Sequence, residues 1–128
     1  MFGIVIVSHS EKLAEGVTEL MRMMAHDVKA AAAGGTEDGG LGTSYEKISA
    51  AIDAVYTDDG VAVLMDMGSA VMTAEMVLED MEDRQIKLID APLVEGAVLA
   101  AVESAAGTPL EALAEKVQEA RTMRKIEN

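Results

Sequence analysis

The chain of 128 residues contains no cysteine and no tryptophan, and aromatic residues make up only 2% of it. Without thiols there can be no disulfides, thiolate metal sites or cysteine nucleophiles. With so few aromatics the interior falls to Ala, Val, Ile, Leu and ten Met, the last serving as adaptable filler. Basic residues are scarce as well. Ten Lys and Arg stand against 23 Asp and Glu, giving a formal net charge of −13. That balance argues against nucleic acid as a partner, because phosphate backbones need clustered Lys and Arg. It favours basic faces on other proteins. No apolar run approaches the ~20 residues that span a bilayer, so no membrane insertion is expected. The amino terminus lacks the basic region, apolar stretch and cleavage site of a signal peptide, so the expected location is the cytoplasm.

What is present suffices for one core. Half of the residues are hydrophobic, too many for a disordered chain, and the length fits one domain over 1–128. Residues 4–7, Ile-Val-Ile-Val, read as a strand buried on both faces. The strand ends in Ser8-His9-Ser10. A first helix follows, with Leu13, Val17, Leu20, Met21 and Met24 at helical spacing, ending near His26-Asp27. Met21 and Met24 are expected in the core and Met23 outside. A weak strand over 28–33 leads into residues 34–42, which hold five glycines. Thr43-Ser44-Tyr45-Glu46 reads as a capping box for a second helix that buries Ile48, Ile52 and Val55.

A turn over 57–60 precedes the second strong strand, 61–65, which ends in Asp66-Met67-Gly68-Ser69. Ala70, Ala74, Val77, Leu78 and Met81 describe the third helix. Strand four covers 86–89 and ends at Asp90-Ala91-Pro92, and Val94, Ala97, Val98, Ala101 and Val102 make the fourth helix. Thr108-Pro109-Leu110-Glu111 opens a fifth with a cap, a first-turn proline and a capping-box glutamate, and Leu113, Ala114 and Val117 bury it. The tail from Arg121 is expected to fray. The order is βα four times plus one helix: an α/β fold with an open four-stranded parallel sheet and helices on both faces. Its topology carries His9, the glycine loop, Asp66 to Ser69 and Ala91-Pro92 to one edge of the sheet. In open α/β sheets ligands collect there.

His9 is the candidate for chemistry. A neutral imidazole whose Nδ1–H is held by a carboxylate presents Nε2 as a lone-pair nucleophile, and Asp66 ends another strand on the same edge. Such a histidine can accept a phosphoryl group and release it. Gly68-Ser69 begins a helix, whose free N–H groups and dipole favour negative charge. The glycine loop could wrap amides around phosphate oxygens in the same way, although it matches neither the P-loop nor the dinucleotide fingerprint. His26, in the last turn of its helix, suits the dipole there. No carboxylates show metal-ligand spacing near His9, so no metal is expected. Ser8 and Ser10 sit too close to His9 for a serine triad, and no Gly-x-Ser-x-Gly elbow exists.

Four motifs in order carry a resemblance across essentially the whole chain. They are Ile-Val-Ile-Val-Ser-His-Ser at 4–10, Gly-Gly-x-x-x-Gly-x-x-Gly-Thr-Ser at 34–44, Asp-Met-Gly-Ser-Ala at 66–70 and Ala-Pro-Leu-Val-Glu-Gly-Ala at 91–97. Together they resemble the phosphotransfer subunits of phosphotransferase-dependent dihydroxyacetone kinases, within the mannose-type EIIA superfamily. The resemblance implies strand order 2-1-3-4 and a homodimer. It implies that His9 takes phosphate from phospho-HPr at Nε2 and passes it to ADP held in the nucleotide-binding kinase subunit. The ATP formed then phosphorylates dihydroxyacetone on a third subunit. Asp66 takes the place of the aspartate that orients the imidazole, and Ser10, Gly39, Gly42, Thr43 and Ser69 are placed around the phosphate. No cofactor is implied. Some relatives continue into HPr-like and enzyme-I-like domains; a chain ending at Asn128 would use separate partners. Nothing after the fifth helix reads as the swapped carboxyl-terminal strand of mannose-transporter EIIA domains. The rival readings are an EIIA carrier for a mannose-family sugar transporter and a non-catalytic anion-binding module. A receiver domain is disfavoured, because receivers gather acidic residues where this chain has Ser-His-Ser.

Overall fold

The computed structural model describes residues 1–127. Strands and helices alternate as β1 (Gly3–Ser8), α1 (Glu11–Met24), β2 (Ala30–Gly34), α2 (Tyr45–Val55), β3 (Val61–Met65), α3 (Gly68–Glu79), β4 (Ile86–Ile89), α4 (Leu93–Ala105) and α5 (Leu110–Lys116). A 3-10 turn over Val117–Arg121 continues α5. The strands form one parallel sheet in the order β2-β1-β3-β4. The expected architecture and strand order are both present.

Every residue of β1 is buried, as its unbroken apolar run requires. Phe2, Ile4 and Ile6 face one layer with α1, α4 and α5, whereas Val5 and Val7 face the other with α2 and α3. The chain leaves β1 for β2 on one side and returns to β3 on the other. The connections diverge between β1 and β3, and a crevice opens at the carboxyl ends of those two strands. Among the described residues no helix is long and apolar enough to cross a membrane.

Several helix faces differ from the expectation. In α1 the buried residues are Ala14, Val17, Thr18 and Met21, while Leu13, Leu20 and Met24 are exposed along with Met23. The α1 helix also stops at Met24, so His26 lies in an exposed turn beyond it and Arg22 is the cation of the last turn. In α4 the inward face is Gly96, Ala97, Ala100, Ala101 and Ser104, and Val94 and Val102 point outward. The reason is proximity. A Cβ on Gly96 would lie 2.8 Å from the Ala91 Cβ and 3.2 Å from the Leu64 Cδ2, so this helix sits too close to the sheet for branched side chains.

The caps also shift. Ser44, not Thr43, caps α2, its hydroxyl accepting the Lys47 N–H at 3.1 Å, which puts lysine where the box needed glutamate. Pro109 stands at the start of α5 without a side-chain cap, because the Thr108 hydroxyl donates to Glu103 Oε1 at 2.6 Å instead. Leu110, Leu113, Val117 and Ala120 bury this segment, and Ala114 is exposed. Beyond it, Arg121 pairs with Asp90 and Lys125 with Glu95, both at 2.9 Å.

Candidate active site

Register brings the two key side chains together. Val7 of β1 pairs with Met65 of β3, so His9 and Asp66 follow from adjacent strand ends. The Asp66 N–H continues the ladder by donating to the Val7 carbonyl at 3.2 Å. Ser10 then caps α1, its hydroxyl accepting the Leu13 N–H at 3.2 Å. The close of β2 must clear this helix start. A Cβ on Gly34 would lie 2.4 Å from the Ser10 carbonyl oxygen, so only glycine fits.

Asp66 is the anchor. Its side chain is 11% exposed, and both oxygens are fully engaged. Oδ1 lies 2.9 Å from His9 Nδ1 and accepts the Met67 N–H at 2.7 Å. Oδ2 accepts the Ser8 hydroxyl at 2.8 Å and the His9 backbone N–H at 3.0 Å. Burial pushes the carboxyl pKa up, but the His9 backbone and ring, the Ser8 hydroxyl and the Met67 amide outweigh it. The net effect holds Asp66 below the usual carboxylate value.

An ionised carboxylate only accepts, so the proton between the two side chains sits on Nδ1. The Nε2 lone pair is therefore free of the Asp66 contact and faces the Ser69 hydroxyl on the first turn of α3. The amides of Gly68 and Ser69 have no acceptor within the helix, and the helix dipole adds partial positive charge at this point. The His9 side chain is 24% exposed, open to a partner. An oriented nucleophilic nitrogen beside an anion-favouring helix start is equipped to receive a phosphoryl group and stabilise its oxygens.

The glycine loop behaves differently from the expected cradle. Gly39 donates to the Thr36 carbonyl at 3.1 Å and Gly40 to the Thr36 hydroxyl at 3.0 Å, so these amides close the loop on itself. The Gly42 N–H does reach the site, but it donates to the His9 carbonyl at 2.8 Å. Thr43 turns to α3, its Oγ1 lying 2.9 Å from that of Thr73. Of the residues placed around a phosphate, Ser69 touches Nε2, Ser10 caps α1 with its hydroxyl oxygen and keeps its proton to donate, and Gly42 and Thr43 hold neighbouring groups. Gly39 has no hydrogen bond to the site among the described residues.

Sequence reasoning passed over Ser8 as a ligand of Asp66 and Thr73 as a neighbour of Ser69. The available signals were a hydroxyl beside the strand-end histidine and a threonine four positions, one helical turn, after Ser69. Ala91 lines an adjoining cleft of about 340 Å³ between the ends of β3 and β4, together with Asp66, Met67, Val71 and Leu88.

The model of the EIIA-man family, described as PTS system fructose IIA component, matches residues 3–119. The chain belongs to the EIIA-man family. His9, the glycine loop, Asp66 and Ser69 all fall within the matched span. Among EIIA-man relatives, a chain from Lactococcus lactis subsp. lactis, the PTS-dependent dihydroxyacetone kinase phosphotransferase subunit DhaM, is 38% identical over 117 residues. That match covers 91% of this chain and 94% of the relative. The Escherichia coli PEP-dependent dihydroxyacetone kinase phosphoryl donor subunit DhaM is 42% identical over 118 residues, covering 87% of this chain and 25% of that longer protein. A crystal structure of a protein of unknown function superposes with a TM-score of 0.79 at 32% identity, over 92% of this chain and 93% of the other.

Proposed function

We propose that this EIIA-man chain carries a phosphoryl group on Nε2 of His9 for a PTS-dependent dihydroxyacetone kinase. The observation that carries the reading is the 2.9 Å contact of His9 Nδ1 with a fully hydrogen-bonded Asp66. It leaves Nε2 as the reactive nitrogen, facing the start of α3. Family membership and the two dihydroxyacetone kinase relatives support the pathway.

The donor in this reading is phospho-HPr. The Nε2 lone pair attacks the phosphorus of the donor's phosphohistidine, the N–P bond to the donor breaks, and a new Nε2–P bond forms. The Nδ1 proton stays in place, and the carboxylate of Asp66 offsets the positive charge gained by the ring. Ser69 and the first-turn amides of α3 receive the phosphoryl oxygens. In the second step a terminal oxygen of ADP, bound in the nucleotide-binding kinase subunit, attacks the same phosphorus. The Nε2–P bond breaks, ATP leaves on the acceptor, and neutral imidazole returns. The resemblance further supports residues 1–128 acting as one carrier domain, as a homodimer, in the cytoplasm.

The test is intact mass after incubation with phosphoenolpyruvate, enzyme I and HPr, followed by the ADP-loaded kinase subunit. The expected result is one acid-labile phosphoryl group, absent from a folded His9→Ala variant and discharged by the kinase subunit. Labelling of His9→Ala would overturn the assignment to His9. Labelling without discharge would transfer the acceptor role to a sugar transporter.

A further inference from the structure

We infer that Thr73 and Thr43 are positioning residues for phosphoryl transfer, holding Ser69 against Nε2 of His9 through a directed chain of hydroxyls. The inference rests on the carrier reading above and adds residues to it.

Proton counting fixes the direction of the chain. Thr73 Oγ1 lies 3.2 Å from the Ser69 carbonyl oxygen, which can only accept, so Thr73 spends its single proton there. The Thr43 Oγ1, 2.9 Å from that of Thr73, must then be the donor to it. At the other end Nε2 offers a lone pair, because Nδ1 holds the ring proton against Asp66. The Ser69 hydroxyl is therefore the donor to Nε2. Thr43 thus donates to Thr73, Thr73 fixes the backbone of Ser69, and Ser69 points its proton at the nucleophile. Both threonines are half-buried, and the bond between them is partly shielded from water, whereas the Thr73 bond to the Ser69 carbonyl is exposed.

The chain answers a local need. Met67 precedes α3 without any side-chain cap, so the turn that must present Ser69 and its amides is held by few groups of its own. The Met67 amide on Asp66 Oδ1 is one restraint, and the Thr73 hydroxyl on the Ser69 carbonyl is the second. The loop supplies the rest. Gly42 donates to the His9 carbonyl at 2.8 Å while the adjacent Thr43 bonds Thr73. Two consecutive residues therefore grip both walls of the crevice, the end of β1 and the start of α3. Their grip sets the distance between His9 and Ser69. Gly42 adopts φ +140, and a Cβ there would meet Thr36 Cγ2 at 2.9 Å, so the strap needs glycine at this point.

The masking of Nε2 by Ser69 in the resting protein becomes useful during transfer. As phosphorus approaches, the Ser69 hydroxyl moves from the nitrogen to an incoming phosphoryl oxygen, and Thr73 keeps its backbone in reach. The threonines touch no reacting atom, so their effect appears in the rate of transfer and not in donor docking.

The experiment uses the full chain with Thr73→Val, Thr73→Ser and Thr43→Val. Two readouts are taken: single-turnover transfer from phospho-HPr across donor concentration, and nitrogen-15 spectra of the His9 ring in the unphosphorylated protein. Thr73→Val should still take one phosphoryl group, with the limiting rate down about tenfold, the scale of one lost hydrogen bond, and the half-saturating donor concentration unchanged. Thr73→Ser should restore the rate to within about twofold, since it keeps the hydroxyl. Thr43→Val should fall in the same direction and reports on the chain from the loop side if Thr73→Val does not fold. The Nε2 resonance should move in both valine variants. Wild-type rates and an unmoved Nε2 resonance in both would overturn the inference, as would an effect confined to half-saturation. If the wild type takes no phosphoryl group, the carrier reading fails instead, and the ring spectra still decide whether the hydroxyl chain sets the environment of Nε2.

Discussion

Asp66 earns its place by geometry rather than by proximity alone. Asparagine at this position keeps the shape but turns an amide N–H₂ towards one of the donors that now converge on the carboxylate from His9, Ser8 and Met67. Asp66→Asn should therefore slow phosphoryl transfer about 10- to 100-fold, the range for lost orienting partners of a functional histidine. The half-saturating donor concentration should stay at the wild-type value. Equal transfer rates would remove Asp66 from the site. Its titration adds a second check. The folded pKa is depressed below the unfolded value. The stability it contributes is thus complete above the ordinary aspartate pKa of about 3.9 and is lost as pH falls through the folded value. Urea midpoints of wild type and Asp66→Asn should differ by a constant amount near neutral pH and converge in acid. A gap that persists into strong acid would contradict the depressed pKa.

At the scale of elements, Ser10 separates a structural role from a chemical one. Its hydroxyl caps α1, so Ser10→Ala should cost about 1 kcal/mol of stability in denaturant titration while phosphate acceptance persists. Normal stability with lost acceptance would make Ser10 a phosphate ligand after all. The strands were legible in the sequence because β1 and β3 are short aliphatic runs and β4 is aliphatic apart from Lys87, and in a parallel sheet such runs have few other homes. His9 and Asp66 were legible for the same reason: residues that end adjacent parallel strands share an edge. The helix faces were less so. In α4 the residues that approach the sheet are small ones, and hydrophobicity then points to Val94 and Val102 on the wrong side. Capping was misplaced by one residue at α2, where Thr43 and Ser44 are chemically equivalent candidates and only the fold chooses between them. Ser8 and Thr73 stood beside His9 and one turn after Ser69, but their partners Asp66 and Thr43 lie far off in the chain, so only the fold shows those contacts.

The whole molecule carries a formal net charge of −13, and one of its cations, Lys47 beside the end of β2, is already occupied by Glu11 Oε2 and the Gly34 carbonyl. In the proposed reading, basic groups on the donor complement this acidic body. Affinity for HPr should accordingly fall several-fold between 0.1 and 1 M salt, as the Debye length drops from about 10 to about 3 Å. Affinity unchanged by salt in a binding titration would mean an apolar interface instead. The central claim concerns a single atom. Phosphorus–nitrogen couplings in the nuclear magnetic resonance spectrum of the phosphoprotein, with nitrogen-15 in the histidine rings, report which nitrogen bears the phosphoryl group. The account predicts phosphorus on Nε2 of His9 with Nδ1 still protonated; phosphorus on Nδ1, or on any residue other than His9, would contradict it.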